Sequence, residues 1–344
     1  MLLFVPARFL LSALVLSTLL LTLLAAPALT YAQAPPCELD DALSRAAAKL
    51  LDDPEAPSPT QLLKVAREAG ATAPIVRAVT VSPRSNRDRR RVRSWVRARR
   101  EEADAPLLCG EAQDEGRRIV LTAVSAATLE LTSRGLVGNL ASGFRDPVVV
   151  VRLGEGEVVH VPVTRQTLSR GVRLPSELDD RPGLLQLLAT GPTGPRPVAE
   201  LVINGSPEDV LDTAPGGEDV ERRLYDLRRA RGASPLRDNQ LLAGEAERQA
   251  TDVCESGQIS HHREGVDPEE RLRREGIVAR AVGETVARGA TPGAAMDALL
   301  ASPSHLMTLA GRRFTDVGIG TAEDDAGRVC LVVLLSSWPR FMGR

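Results

Sequence analysis

Three separate stretches of this chain repeat themselves at a nearly constant offset. PSPTQLLKVAREAG (57–70) reads like VDPEERLRREGI (266–277), and RVRSWV (91–96) stands where AAMDALL (294–300) stands later. LLCGEAQDEGRRIVLTAV (107–124) parallels DVGIGTAEDDAGRVCLVVL (316–334). Gly70 lies 206 residues before Gly276, Trp95 204 before Leu299, and Gly110 208 before Gly318. An offset held across two helical segments and a strand predicts one supersecondary unit used twice. The competing reading is chance similarity among helices rich in Arg, Ala and Leu. If the repeat holds, the first copy has nothing at the places of His261, Glu284 and His305, and serves as a structural or interaction unit.

The 344 residues have room for two or three domains, each with its own core. With 43 % apolar residues and a net charge of −2, the chain is neither disordered nor a generally basic nucleic-acid binder. Arg8, the apolar run Phe9–Leu24 and the small residues of LLAAPALTYAQA read as a signal peptide over residues 1–32, cut after Ala32. Cleavage after Ala34 also fits the small-residue rule, and an uncleaved anchor is the alternative to a signal peptide. No later run is long enough to span a bilayer, so no transmembrane segment is expected after cleavage. Export makes disulfides the expected fate of Cys37, Cys109, Cys254 and Cys330. Of the three pairings, Cys37–Cys109 with Cys254–Cys330 keeps each bond within one half of the chain. No two cysteines are close enough in sequence to suggest a zinc site.

An N-terminal α/β region over 33–125 is expected to hold helices in DDALSRAAAKLL and QLLKVAREAG, the second capped by Thr60, and a third over 86–103 before the strand IVLTAV. From 126 to 205 the period changes to short alternating runs (VVVVRL, GEVVHVPV, GLLQLLAT, VAELVIN), which predicts a small β-sandwich or barrel. His160 in one of these strands reads as structural. Residues 206–217 read as a linker, and 218–344 as a last domain that starts with DVERRLYDLRRARG and a helix striped by Leu242, Ala246, Ala250 and Val253.

Three of the four histidines fall between Ser260 and Gly320. The segments LYDLRRARGASPL, ISHHREGVDPEERLRREGI, GETVARG and SPSHLMTLAGRRFTDVGIG come in an order that resembles the CAP superfamily (cysteine-rich secretory, antigen 5, pathogenesis-related 1; the SCP domain) of the bacterial secreted type, over about 218–340. The resemblance implies an α-β-α sandwich at the end of the chain; with the central all-β domain read from strand periodicity and an N-terminal region read from the repeat as a degenerate CAP-like copy, the expected fold class is α+β. It also implies a cleft where two His and two acidic residues meet, sometimes around a metal. His261, with His262 as fallback, takes the first His position, Glu284 the Glu of the Gly-Glu segment, and His305 the later His. The other acidic member has no clear counterpart. Thr285, Tyr225, Ser304 and Leu306 depart from the pattern.

Two imidazoles and a carboxylate suit a divalent ion, zinc above all, with a position open for water. His261, Glu284 and His305 are thus the candidate metal ligands and the candidate catalytic residues. Ser302-Pro303 predicts a serine cap before His305. Ser260 adjoins His261 but lacks a nucleophile-elbow context. Nine Arg lie between Arg84 and Arg100; with Glu101, Glu102 and Asp104 nearby they read as a solvated helix face rather than an anionic-surface patch. The sequence points to an exported binding protein of the cell envelope or extracellular space, its partner a protein, a glycan or a lipid-like ligand. A metal-assisted hydrolase and a structural module with a vestigial cleft are the alternatives.

Overall fold

The computed structural model describes residues 37–338, apart from 54–56, 58, 83–84, 155–156 and 212–215. The signal-peptide segment lies outside the described residues. The described residues form one compact unit, built around three four-stranded sheets.

The first sheet takes its strands from β1 (Glu38–Leu39), β2 (Val76–Val81), β3 (Leu107–Gln113) and β4 (Arg118–Val124), in the order β1-β3-β4-β2. Strand β4 alternates. Ile119, Leu121 and Ala123 face helices α1 (Asp41–Leu51) and α2 (Pro59–Glu68), while Val120 packs with Val92 and Val96 of α3 (Asn86–Glu102). A period of two on a strand buried from both sides gives the near-continuous apolar run IVLTAV. Helix α2 starts at Pro59, so Thr60 lies within its first turn rather than at the expected N-cap position.

A central unit follows. Strands β5 (Ala127–Thr132) and β6 (Gly135–Leu140) form a hairpin. Strands β7 (Arg145–Leu153), β8 (Val158–Pro162), β9 (Gly183–Gly191) and β10 (Gly194–Ile203) form a sheet ordered β10-β9-β7-β8. Hairpin and sheet share one core, with Leu129, Leu136 and Leu140 against Val149, Val151, Leu185 and Leu187. The region is not all β. Helix α4 (Arg165–Arg170) intervenes, held by a Thr164/Thr167 capping box and anchored by Leu168. The expected linker also carries a short helix, α5 (Pro207–Leu211), whose Val210 carbonyl accepts from the buried Arg152.

The third sheet takes β11 (Arg237–Asp238), β12 (Ala281–Gly289), β13 (Asp316–Glu323) and β14 (Val329–Ser337) in the order β11-β13-β14-β12. Leu331, Val333 and Leu335 of β14 meet helices α6 (Val220–Ala230), α9 (Pro292–Ala301) and α10 (Pro303–Leu309); Cys330, Val332 and Leu334 meet α7 (Gln240–Ser256) and α8 (Pro268–Arg274). This is the expected α-β-α sandwich. Buried Arg228 of α6 donates to the carbonyls of Leu309 and Gly311 at 2.9 and 3.0 Å, satisfying the C-terminal end of α10. The disulfides are those expected, Cys37–Cys109 and Cys254–Cys330.

The first and third sheets are the same sheet in topology: a short strand parallel to the third strand, then two antiparallel pairings. The register can be read residue by residue. Asp40 N–H donates to the Cys109 carbonyl as Asn239 N–H does to that of Val317, both at helix N-caps. Gly70 and Gly276 both take positive φ after their second helices. Gly110 pairs with Leu121 and Gly318 with Leu334. A Cβ on Gly110 would fall 2.2 Å from Ser44 N, and one on Gly318 2.1 Å from Leu242 C and 2.2 Å from Ala243 N, the same turn of the first helix in each unit. Gly318→Ala therefore has to push a helix off its sheet. The expected loss is about 2 kcal/mol or more in urea unfolding; a wild-type midpoint would contradict this close packing.

Candidate functional site

Helix α7, capped by Asn239, buries Glu245 and Gln249 one turn apart on the same face as its apolar stripe. Gln249 Nε2 donates to the Ser260 carbonyl at 2.8 Å and so pins the loop that follows the αL residue Gly257. Ser260 Oγ accepts from the His262 N–H at 3.0 Å and donates to its carbonyl at 3.0 Å. Ser260 is thus a turn-former rather than a nucleophile. Asp267 and Pro268 start α8, which carries Arg271 inward.

These elements converge on Glu284, set by the β12 register on the face that looks toward α7 and α8. Its Oε1 lies 2.9 Å from His261 Nδ1, and its Oε2 accepts from the Arg271 guanidinium. Arg271 Nε reaches Glu245 Oε1 at 2.7 Å, and its Nη1 donates to the His261 carbonyl at 2.6 Å. Arg263 and Arg248 also pair with Glu245, at 2.9 and 2.8 Å. Burial works to raise the Glu245 carboxyl, but hydrogen bonds from Arg263 and Arg271, with the charge of Arg263 and a bond from Arg248, hold it below the ordinary range. The Glu245, Glu284 and Arg271 side chains are 1–3 % exposed, whereas His261 keeps 20 %.

His305 sits on α10, and its Nδ1 is sealed with no hydrogen-bond partner. Burial first, then the charge of His261, lowers its pKa from 6.5 to about 3. Glu284 hydrogen-bonds His261, and no hydrogen bond joins it to His305 among the described residues. The start of α10 differs from expectation. Ser302 stands at the N-cap without a side-chain cap bond. Gln186 of β9 supplies the acceptor instead, taking the Ser304 N–H at 3.1 Å on Oε1. Its carboxamide spans both helix-start serines and the buried Glu200, so the capping role has moved to a neighbouring sheet. The same sheet reaches His261 and its fallback His262, since a Cβ on Gly194 would sit 3.5 Å from His261 Cβ and 3.4 Å from His262 Nε2.

Glu284 thus has both oxygens engaged. Among the described residues no group of three or more His, Cys, Asp or Glu is placed to hold a metal ion. The donor set present does not fit a three-ligand zinc centre, and no step is derived through one. The sequence reading missed Glu245, the second buried carboxylate. Its signal was available: Glu245 lies three residues after Leu242 on the striped face of α7, where an unpaired charge is not tolerated.

The His305 shift predicts acid lability. Its folded pKa lies below the unfolded value, so the unfolded chain binds the extra proton between them. Stability is full above pH 6.5 and falls as pH drops toward 3. The expected loss is about 2 kcal/mol near pH 5. Glu245, depressed as a carboxylate, adds a further loss at lower pH as it protonates. His305→Phe should flatten the slope between pH 6.5 and 5 in thermal melts; an unchanged slope would assign the lability elsewhere.

A three-layer α-β-α unit with a buried Glu-Arg-Glu network beneath one half-exposed histidine is the class that fold and site define. Residues 222–335 match the family model of the cysteine-rich secretory protein family, CAP, and this part of the chain is a CAP domain. No curated protein matches the chain at a significant level. Similar solved structures include an outer surface protein from Borrelia burgdorferi (22 % identity, TM-score 0.33, covering 35 % of this chain and 90 % of that one). An extracellular protein containing an SCP domain from Bacillus anthracis aligns over 62 % of this chain and 67 % of its own, at 18 % identity and TM-score 0.30. A cysteine-rich secretory protein from Staphylococcus aureus aligns over 52 % of this chain and 63 % of its own, at 12 % identity and TM-score 0.27. The family assignment rests on the sequence match.

Proposed function

We propose that the chain is an exported binding protein of the cell envelope or extracellular space, whose CAP domain (218–344) recognises a polar group of a protein, glycan or lipid-like ligand at His261. The observation that carries the reading is the complete engagement of Glu284. With one oxygen on His261 Nδ1 and the other on Arg271, this carboxylate orients an imidazole and is not free to act as a general base. His261 keeps its second ring nitrogen for a ligand, and its side chain is the exposed member of the network. Two disulfides support an oxidising compartment, and no helix among the described residues is long and apolar enough to cross a membrane. The region 33–125, which shares the topology of the CAP sheet, is on this reading a degenerate copy. The central domain (126–205) and the segment 206–217 join the two copies.

A second reading, the structural module, draws on one observation: the central sheet caps the helix of His305 and borders His261. A photo-crosslinker placed at the exposed Ile259 separates the two. The binding reading expects capture of an envelope component that His261→Ala and Glu284→Gln both abolish. Capture indifferent to both changes favours the structural module. Stoichiometric zinc in the purified exported protein, lost in His305→Ala, would put a metal-assisted hydrolase using His261, Glu284 and His305 ahead of both.

A further inference from the structure

Helix α3 buries only Val92 and Val96 toward its sheet. Arg87, Arg89, Arg90, Arg91, Arg93, Arg97 and Arg100 are exposed. The expected balance by nearby carboxylates is not what forms. Asp104 turns away to Arg196 at 2.5 Å, and Glu102 pairs with Arg99 at 2.6 Å. Arg89 bonds Asn86 and Arg100 the Ala105 carbonyl. Among the described residues no carboxylate pairs with Arg87, Arg90, Arg91, Arg93 or Arg97. At 1.5 Å per residue these five guanidinium groups cover about 15 Å of one face. The helix carries eight Arg against three acidic residues in a chain of net charge −2, so the charge is segregated here.

We infer that this arginine face of α3 docks the protein on an anionic lipid surface. The face has no exposed apolar residue to form the core of a protein interface. Guanidinium forks pair with phosphate oxygens two at a time. Each basic residue at such a surface is expected to raise affinity about five-fold, with strong dependence on salt.

The test uses residues 36–344, whose described part forms a compact unit without the apolar run. Sedimentation with phosphatidylcholine vesicles containing about one-third phosphatidylglycerol, at about 0.1 M salt, should pellet the protein, and pure phosphatidylcholine should not. Replacing Arg90, Arg91, Arg93 and Arg97 with Gln should weaken binding on the order of 100-fold without changing the melting temperature. The same four changes to Lys should retain most of it. Arg273→Gln with Arg274→Gln, exposed arginines on α8, should have no effect. Wild-type protein that ignores anionic vesicles, or a Gln variant that binds them equally, overturns the proposal. Binding to inorganic polyphosphate without binding to vesicles overturns the membrane as the partner.

Discussion

Arg271→Ala is expected to destabilise the protein by about 3–5 kcal/mol, more than an ordinary core truncation. The side chain holds two buried carboxylates, Glu245 at 2.7 Å and Glu284, and also ties down the His261 carbonyl. Without it Glu284 keeps only His261, and Glu245 is left to Arg263 and Arg248. The chain also contains the apolar answer to the same geometry. In the register set by Asp40 and Asn239, Glu245 corresponds to Ala46. In that set by Gly70 and Gly276, Arg271 corresponds to Val65, and through the Gly110 and Gly318 pairings Glu284 corresponds to Ala78. Ala46 belongs to the buried core of the first unit, and Val65 and Ala78 pack against it partly buried. The triple change Glu245→Ala, Arg271→Val, Glu284→Ala should therefore be more stable than Arg271→Ala alone, by about 1 kcal/mol or more, because no charge is left stranded. Urea unfolding of both variants decides it. A triple variant weaker than the single one would mean that the network's shape matters more than its charges. Either way the ion network is not required to build a sheet of this topology, since the first unit builds one without it. That argues for its retention in the CAP domain to hold His261.

The last domain was legible in the sequence, and so were positions that the first unit shares with it, because helix ends and strand contacts leave local marks. Gly70, Gly110, Gly276 and Gly318 stand where a backbone turns or two backbones meet, and those positions tolerate little else. The run VCLVVLLSS declared a strand buried on both faces. The two histidines and Glu284 were found through ordered motifs, and the structure puts His261 in hydrogen-bond contact with Glu284, while His305 lies on α10. What could not be read was pairing across the chain. Glu245 looked like one more charge on a helix rich in them until Arg271 arrived from another helix. The cap of α10 comes from Gln186, more than a hundred residues upstream. Helix α4 inside the β region hid in a short polar segment whose one anchor is Leu168.

Arg67→Ala is the second large effect expected, again about 3–5 kcal/mol, and it should be felt far from the substitution. Arg67 on α2 pairs with Glu200 of β10, with side chains 6 % and 4 % exposed. Burial, then the nearby Arg152, already lowers its pKa to about 10, as expected of a cation with little water. Glu200 Oε1 in turn accepts from Gln186 Nε2 at 2.6 Å, and Gln186 Oε1 caps α10 through Ser304 N–H. One polar chain thus runs from the first unit through the central sheet to the helix of His305. Removing the guanidinium leaves Glu200 buried with Gln186 as its side-chain partner, and protonation of that carboxyl would make it compete for the carboxamide that caps α10. Hydrogen exchange at the first turn of α10 should then quicken in Arg67→Ala. Gln186→Ala should reproduce that local effect at about 1–2 kcal/mol, the size of a lost cap. If Arg67→Ala unfolds early yet leaves α10 exchange unchanged relative to the rest of the sandwich, the pair is a local fastener and the chain of bonds carries no coupling. If both variants loosen α10 first, the first unit acts as a support for the helix that carries His305.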